Sequence, residues 1–301
     1  YTVTAATGTN GSIDPVGPTT VKSGASQTYA ITPAPGFKVA DVLVDNVSVG
    51  ALASYSFSNV TANHTINVSF TPIIYVITAS AGANGSINPV GPSNVNSGAG
   101  QSYIITAAPG FKVADALVDG ASVGAVSSYN FSNVTANHAI NATFTPIVYV
   151  VTATAGTNGS IDPAGAGNVN SGANQTYTIT PASGFKVADV LVDGVSVGAV
   201  TTYSIDNVTS IHTISATFTP IVYVVTATAG ANGSIDPAGA SNANSGSDLS
   251  YTITPAAGFK VADVMVDGIS VGVLTNYSFS NVTANHTISA IFSPIVYVIN
   301  A

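Results

Sequence analysis

The chain has no cysteine, no tryptophan, no glutamate and no arginine, and one methionine in 301 residues. Without cysteine there is no disulfide framework, no thiol nucleophile and no thiolate metal site. That absence leaves the redox compartment open. Charged residues make up only 6 % of the chain, as 13 aspartates and 5 lysines, with a net charge of −8. No cluster of basic residues exists to release counterions, which argues against nucleic acid and against anionic membrane surfaces as partners. No apolar run approaches the roughly 18 residues that a transmembrane helix needs, so no membrane insertion is expected. Strong helix formers such as Glu, Gln, Arg, Leu and Met are scarce, while Val, Ile, Thr and Tyr abound. That balance predicts β structure with a surface of Thr, Ser, Asn and Gly. The chain opens at Tyr1 with no initiator Met and no signal peptide, and reads as a processed or excised piece.

What is present is a repeat. Gly36-Phe37-Lys38-Val39-Ala40-Asp41-Val42-Leu43-Val44-Asp45 returns from Gly110, from Gly184 and from Gly258, with only Ala116 and Met265 departing from the first copy. The period is 74 residues, from 110 − 36, 184 − 110 and 258 − 184. Four β-repeats follow, at 1–74, 75–148, 149–222 and 223–296. Residues 297–301 read as the first strand of a further repeat, or as a strand given to a neighbour. In strand parity Ala40, Val42 and Val44 share one face, and Phe37, Val39 and Leu43 the other. Apolar residues on both faces place this strand at the centre of each repeat, covered on both sides.

Within a repeat, Tyr1 to Ala5 alternates apolar and hydroxyl residues as a half-buried strand does. Asn10-Gly11 predicts a hairpin turn into Ser12-Ile13-Asp14. Pro15 to Pro18 breaks the pattern. Gln27 to Thr32 forms the next strand, with Tyr29 and Ile31 on one face. Asp45-Asn46 is a tight turn into Val47-Ser48-Val49. Ser54 to Ser58 and His64 to Phe70 alternate again. Six to seven short strands per repeat, with turns about every ten residues, predict an all-β fold: four tandem small β-sandwich or barrel-like domains arranged as an extended rod. The junctions, such as Phe70 to Tyr75, hold Pro among β-branched residues and no flexible linker.

The third repeat illustrates a resemblance. Gly184-Phe185, Val192-Asp193-Gly194 and the closing strand Thr213 to Phe218 resemble the divergent internalin-type B-repeat of bacterial surface and secreted proteins, and the likeness spans essentially the whole chain. Many members of that family carry Trp in the middle strand, where this chain has Val42, Ala116, Val190 and Val264. The resemblance implies a cell-surface or secreted protein whose repeats act as spacers, stalks or adhesive modules. It implies no chemistry and no cofactor.

Side chains able to do chemistry are few. His64, His138, His212 and His286 recur at the period, each beside a loop and each 74 residues from the next, and read as surface or loop-capping residues. No Ser–His–Asp arrangement is visible in the linear sequence. Asp41 and Asp45 lie four apart on one strand, about 13 Å between α-carbons, too far to chelate one ion unaided. Asp14 with the Asn10 carbonyls is a candidate calcium site, against the plain reading of a turn-forming Asp. Asn10, Asn59 and Asn63 stand in formal glycosylation sequons, as an Asn/Ser/Thr-rich surface produces by chance. Lys38, Lys112, Lys186 and Lys260 stand at one place in each repeat. By parity Lys38 shares the face of Val42 and Val44, which raises a Lys–Asn cross-link beside the plain reading of a lysine snorkelling to water. Tyr297, Val298, Ile299, Asn300 and Ala301 copy the opening strand of a repeat and are candidates for an assembly strand. No catalytic, metal or cofactor set emerges. The expected function is a non-enzymatic extracellular structural array, a stalk, spacer or fibre subunit of a bacterial cell surface. Its expected partners are copies of itself, or a longer array of the same repeats. The alternative is an adhesin that binds a surface glycan or a receptor, and a third reading is the accessory region of an enzyme.

Overall fold

A computed structural model describes residues 1–298. The chain divides into two units, Tyr1–Ile147 and Val148–Ala301, each holding two repeats. Repeat one contains eight strands: β1 (Thr2–Thr7), β2 (Gly11–Asp14), β3 (Gly17–Thr20), β4 (Gln27–Pro33), β5 (Phe37–Val44), β6 (Val47–Gly50), β7 (Ser54–Phe57) and β8 (His64–Pro72). Five of them form one sheet in the order β3-β1-β8-β5-β6, and the other three form a second in the order β2-β4-β7. Both sheets recur in repeats two, three and four. Every pairing is antiparallel except one: β1 runs parallel to β8, from Val3 opposite His64 to Thr7 opposite Val68.

Alternation explains the layers. Val3 and Ala5 of β1, Val42 of β5, and Ile66 and Val68 of β8 are buried on the inner face of the larger sheet. They pack against Ile13 of β2, Tyr29 and Ile31 of β4, and Phe57 of β7 in one core per repeat. Each repeat is therefore a small β-sandwich. Burial of each Val or Ile contributes about 1.5–3 kcal/mol.

The eight strands exceed the six to seven expected, because Gly17–Thr20 pairs with β1 despite Pro18. Proline is tolerated there since β3 is an edge strand. The repeating Gly–Phe–Lys strand is not central and not covered on both sides. β8 takes the middle of the sheet, and Val42 alone of β5 is fully buried. The face assignment also changes along β5. A bulge at Ala40 shifts the register between Val39, opposite Phe70, and Asp41, opposite Ser69. The extra residue reverses parity. Val39 thereby joins Val42 and Val44 against the core, while Lys38 turns to the outer face with Thr71 and Ser69. Lys38, Lys112, Lys186 and Lys260 are all exposed, so the expectation of a core-side lysine is corrected.

Asn10-Gly11 does not close a hairpin. β1 and β2 belong to different sheets, and only Asn10 has a positive φ, at 73°. Gly11 is required for another reason: a Cβ there would lie 2.2 Å from the Phe70 ring. The same approach recurs at Gly85 with Phe144, Gly159 with Phe218 and Gly233 with Phe292. The Asp45-Asn46 turn does form as expected, with φ of 50° and 65° between the paired residues Val44 and Val47. Two positive φ values suit the two-residue hairpin turn, and Asp and Asn tolerate them.

Within each unit the junction is hydrogen-bonded. In the first, the Ile73 N–H donates to the Gly36 carbonyl at 2.8 Å, and the Ser97 N–H donates to the Ile73 carbonyl at 2.8 Å. In the second, Ile221 donates to Gly184 at 2.9 Å and Ser245 to Ile221 at 2.8 Å. One junction residue thus joins the residue just before β5, or before its equivalent in repeat three, to the following repeat.

Candidate functional site

Every histidine finds a partner. His64 opens β8, and Asp45 sits in the turn after β5, the strand next to β8. His64 Nδ1 lies 2.7 Å from Asp45 Oδ2, and Asp45 Oδ1 accepts the Thr65 N–H at 2.8 Å. Repeats two to four repeat the clamp with His138 and Asp119, His212 and Asp193, and His286 and Asp267, each at 2.7 Å. The hydrogen bond from histidine, joined by the backbone N–H, holds all four aspartates below the usual carboxylate range. Each carboxylate is ionised at neutral pH and can only accept, so Nδ1 carries the hydrogen; in the neutral ring form Nε2 is then the acceptor. Asp41 is engaged separately, by the Ser48 hydroxyl at 2.7 Å. The two aspartates that the sequence holds apart therefore serve different local turns. Among the described residues no group of three or more His, Asp or Glu side chains gathers for a metal ion.

In repeats one, two and four the clamp is shut from two sides. Phe57, Phe131 and Phe279 lie against His64, His138 and His286 with ring centroids 5.0 Å apart. Asn63, Asn137 and Asn285 accept the N–H of Thr2, Val76 and Val224 at 2.8–2.9 Å, capping the strand equivalent to β1. The third repeat departs at three positions around its histidine. Ile205 replaces the phenylalanine, Ser210 replaces Ala62, Ala136 and Ala284, and Ile211 replaces the asparagine. Ile211 has no side-chain oxygen to accept the Val150 N–H. A cleft of about 420 Å³ opens there, lined by Val150, Thr152, Asp193, Ile211, His212 and Thr213. The Ser210 hydroxyl lies 3.2 Å from His212 Nε2.

A sequence profile of the divergent InlB B-repeat domain matches residues 1–74, 149–222 and 223–296. The chain belongs to this family. The three matched B-repeats cover most of the chain, and residues 75–148 form the same pair of sheets. Two solved structures align over most of this B-repeat array. The Bacillus anthracis TIE protein is 9 % identical, with 93 % of this chain and 74 % of that chain covered and a TM-score of 0.39. The pilus adhesin SpaC from Lactobacillus rhamnosus GG is 9 % identical, with 84 % and 48 % covered and a TM-score of 0.18. No curated protein matches the chain.

The other candidate residues lie away from the His–Asp clamps. The four lysines stand exposed, and among the described residues they form no ion pair. Tyr297 and Val298 are 81 % and 83 % exposed and lie outside any strand, while Ile299, Asn300 and Ala301 lie outside the described residues. The aromatic residues pack chiefly inward, as Tyr29 and Tyr55 do edge-on against Phe57. The His–Asp pairing is not legible locally, because the aspartate lies in the turn after β5 and the histidine opens β8. One signal existed: both recur in all four repeats at a constant separation of 19 residues.

Proposed function

We propose that this B-repeat array is a load-bearing spacer or stalk of a bacterial cell surface, and that its main role is structural and not enzymatic. One observation carries the reading, the parallel pairing of β1 with β8 in every repeat. Tension along the chain pulls a repeat by the start of β1 and the end of β8. In a parallel pair those points lie at opposite ends, so the strands are loaded in shear. Five residue pairs resist together, where an antiparallel pair pulled at one end would unzip bond by bond. Membership of a repeat family found in surface proteins supports an extracellular location. An adhesive role would need an exposed aromatic or apolar platform, and the inward packing of the aromatic residues favours the structural role. The test is surface exposure: on intact cells carrying the protein, external protease should remove it. Full protection until lysis contradicts the reading.

We also propose head-to-tail association of like chains through Tyr297 to Ala301, supported by their likeness to the opening strand Tyr223-Val224-Val225-Thr226-Ala227 and by the exposure of Tyr297 and Val298. An association state unchanged by deletion of those five residues would rule this out.

A further inference from the structure

We propose that repeat three carries a serine-nucleophile site for acyl transfer, taking esters of small apolar acyl groups, in addition to the structural role of the array. The side chains stand in the order that such chemistry requires. Ser210 Oγ is 3.2 Å from His212 Nε2, and His212 Nδ1 is 2.7 Å from Asp193 Oδ2. One ring nitrogen faces the nucleophile and the other the carboxylate, as in a serine–histidine–aspartate relay. Asp193 is itself fixed by the Thr213 N–H at 2.8 Å and by the Thr213 hydroxyl at 3.4 Å. The base is therefore oriented by a group that is oriented in turn.

The other repeats provide an internal comparison. They keep the His–Asp pair but place Ala62, Ala136 and Ala284 where Ser210 stands, so they have no hydroxyl to activate. In each of them an asparagine side chain also occupies the backbone N–H beside the histidine. Ile211 leaves that donor, the Val150 N–H, without its side-chain acceptor at the edge of the cleft. A backbone donor of this kind stabilises the oxyanion of an acyl-transfer intermediate. Val150 and Ile211, 40 % and 73 % exposed, give the cleft an apolar wall, which suits a short alkyl acyl group better than a charged one.

The step balances without any further reagent. Ser210 Oγ attacks the ester carbonyl carbon, and its proton passes to His212 Nε2. Asp193 stabilises the imidazolium so formed. The tetrahedral intermediate collapses, the C–O bond to the alcohol breaks, and the alcohol leaves with the proton from His212. Water then attacks the acyl-serine, again giving its proton to His212, and the carboxylic acid leaves as that proton returns to Ser210.

The test uses the full chain and an alkyl fluorophosphonate, in which Ser210 would displace fluoride from phosphorus. The expected result is one adduct per chain, mapped by peptide mass to Ser210. In Ser210→Ala, which installs the residue of the other repeats, labelling should fall at least about 100-fold, the scale of general-base assistance. Ile211→Asn should restore the strand cap and also suppress labelling, with circular dichroism unchanged. Absence of an adduct at Ser210 in the natively folded chain overturns the proposal. So does labelling spread over serines of several repeats, or labelling that survives Ser210→Ala. None of these outcomes touches the structural role, which stands on the strand topology.

Discussion

At the residue scale the His–Asp clamp ties the turn after β5 to the start of β8. Its pH dependence follows from the direction of the aspartate shift. Asp45, Asp119, Asp193 and Asp267 all have folded-state pKa values below the ordinary 3.8. A group with a depressed folded pKa contributes stability that is fully present above its unfolded pKa and is lost as pH falls through the folded one. The clamps should therefore hold at neutral and mildly acidic pH and begin to fail only below about pH 4. The carboxylates are close to half exposed, so solvent screening limits each clamp to about 0.2–1 kcal/mol. Replacing all four aspartates by asparagine should lower the urea midpoint at pH 6 and flatten its fall between pH 5 and pH 2. A fall as steep as that of the wild type would assign the acid sensitivity to other groups. A second residue-scale expectation concerns Gly159, where a Cβ would meet the Phe218 ring at 2.2 Å. Gly159→Ala should cost about 1–3 kcal/mol through overpacking, measured by equilibrium unfolding. Phe218 lies in the last strand of the repeat, far along the chain, so a local reading of Asn-Gly could only suggest a turn.

At the element scale the strands were legible wherever alternation runs unbroken. Ser54–Phe57 and His64–Pro72 follow their apolar–polar pattern, and Ile66 and Val68 are buried as parity requires. β5 was misread because its bulge carries no local mark: Ala40 looks like any other strand residue, yet it reverses every face assignment before it. The lysine placement failed with it. Sheet order was not legible either, since the parallel β1–β8 pair joins the two ends of a repeat and alternation says nothing about partners. Facing residues on β5 and β8 vary in size: Val42 with Val68, Ala116 with Ala142, Val190 with Ala216, and Val264 with Ala290. Repeat two thus has the fewest methyl groups at this pair, although the third and fourth repeats accommodate Val opposite Ala. Ala116→Val should stabilise the chain by about 1 kcal/mol, from the added buried methyl groups. A lower unfolding midpoint would show that repeat two has repacked around the smaller pair.

At the scale of the whole molecule, the period and the B-repeat family were legible because a 74-residue spacing survives substitution. The third repeat's cleft was not, because its parts come from three separate segments brought together by folding. In the first unit the neighbours are coupled by a two-bond bridge at the junction: the Ser97 N–H of repeat two donates to the Ile73 carbonyl, and the Ile73 N–H anchors that residue on the Gly36 carbonyl. Nearest-neighbour terms of this kind make adjacent repeats unfold together. Ile73→Pro removes that donor and should broaden or split the calorimetric transition of the first unit, whereas an unchanged transition would deny the coupling. The central claim is that each repeat resists tension through its parallel terminal strands. Single-molecule stretching of the full chain by its ends tests this most directly, because forced unfolding reports the barrier along the pulling direction. Neighbours couple at equilibrium, but under tension each repeat breaks at its own sheared β1–β8 pair, so the account predicts four separate force peaks, each followed by a gain of about 250 Å in contour length, the extension of one repeat. Smooth lengthening without peaks would contradict it.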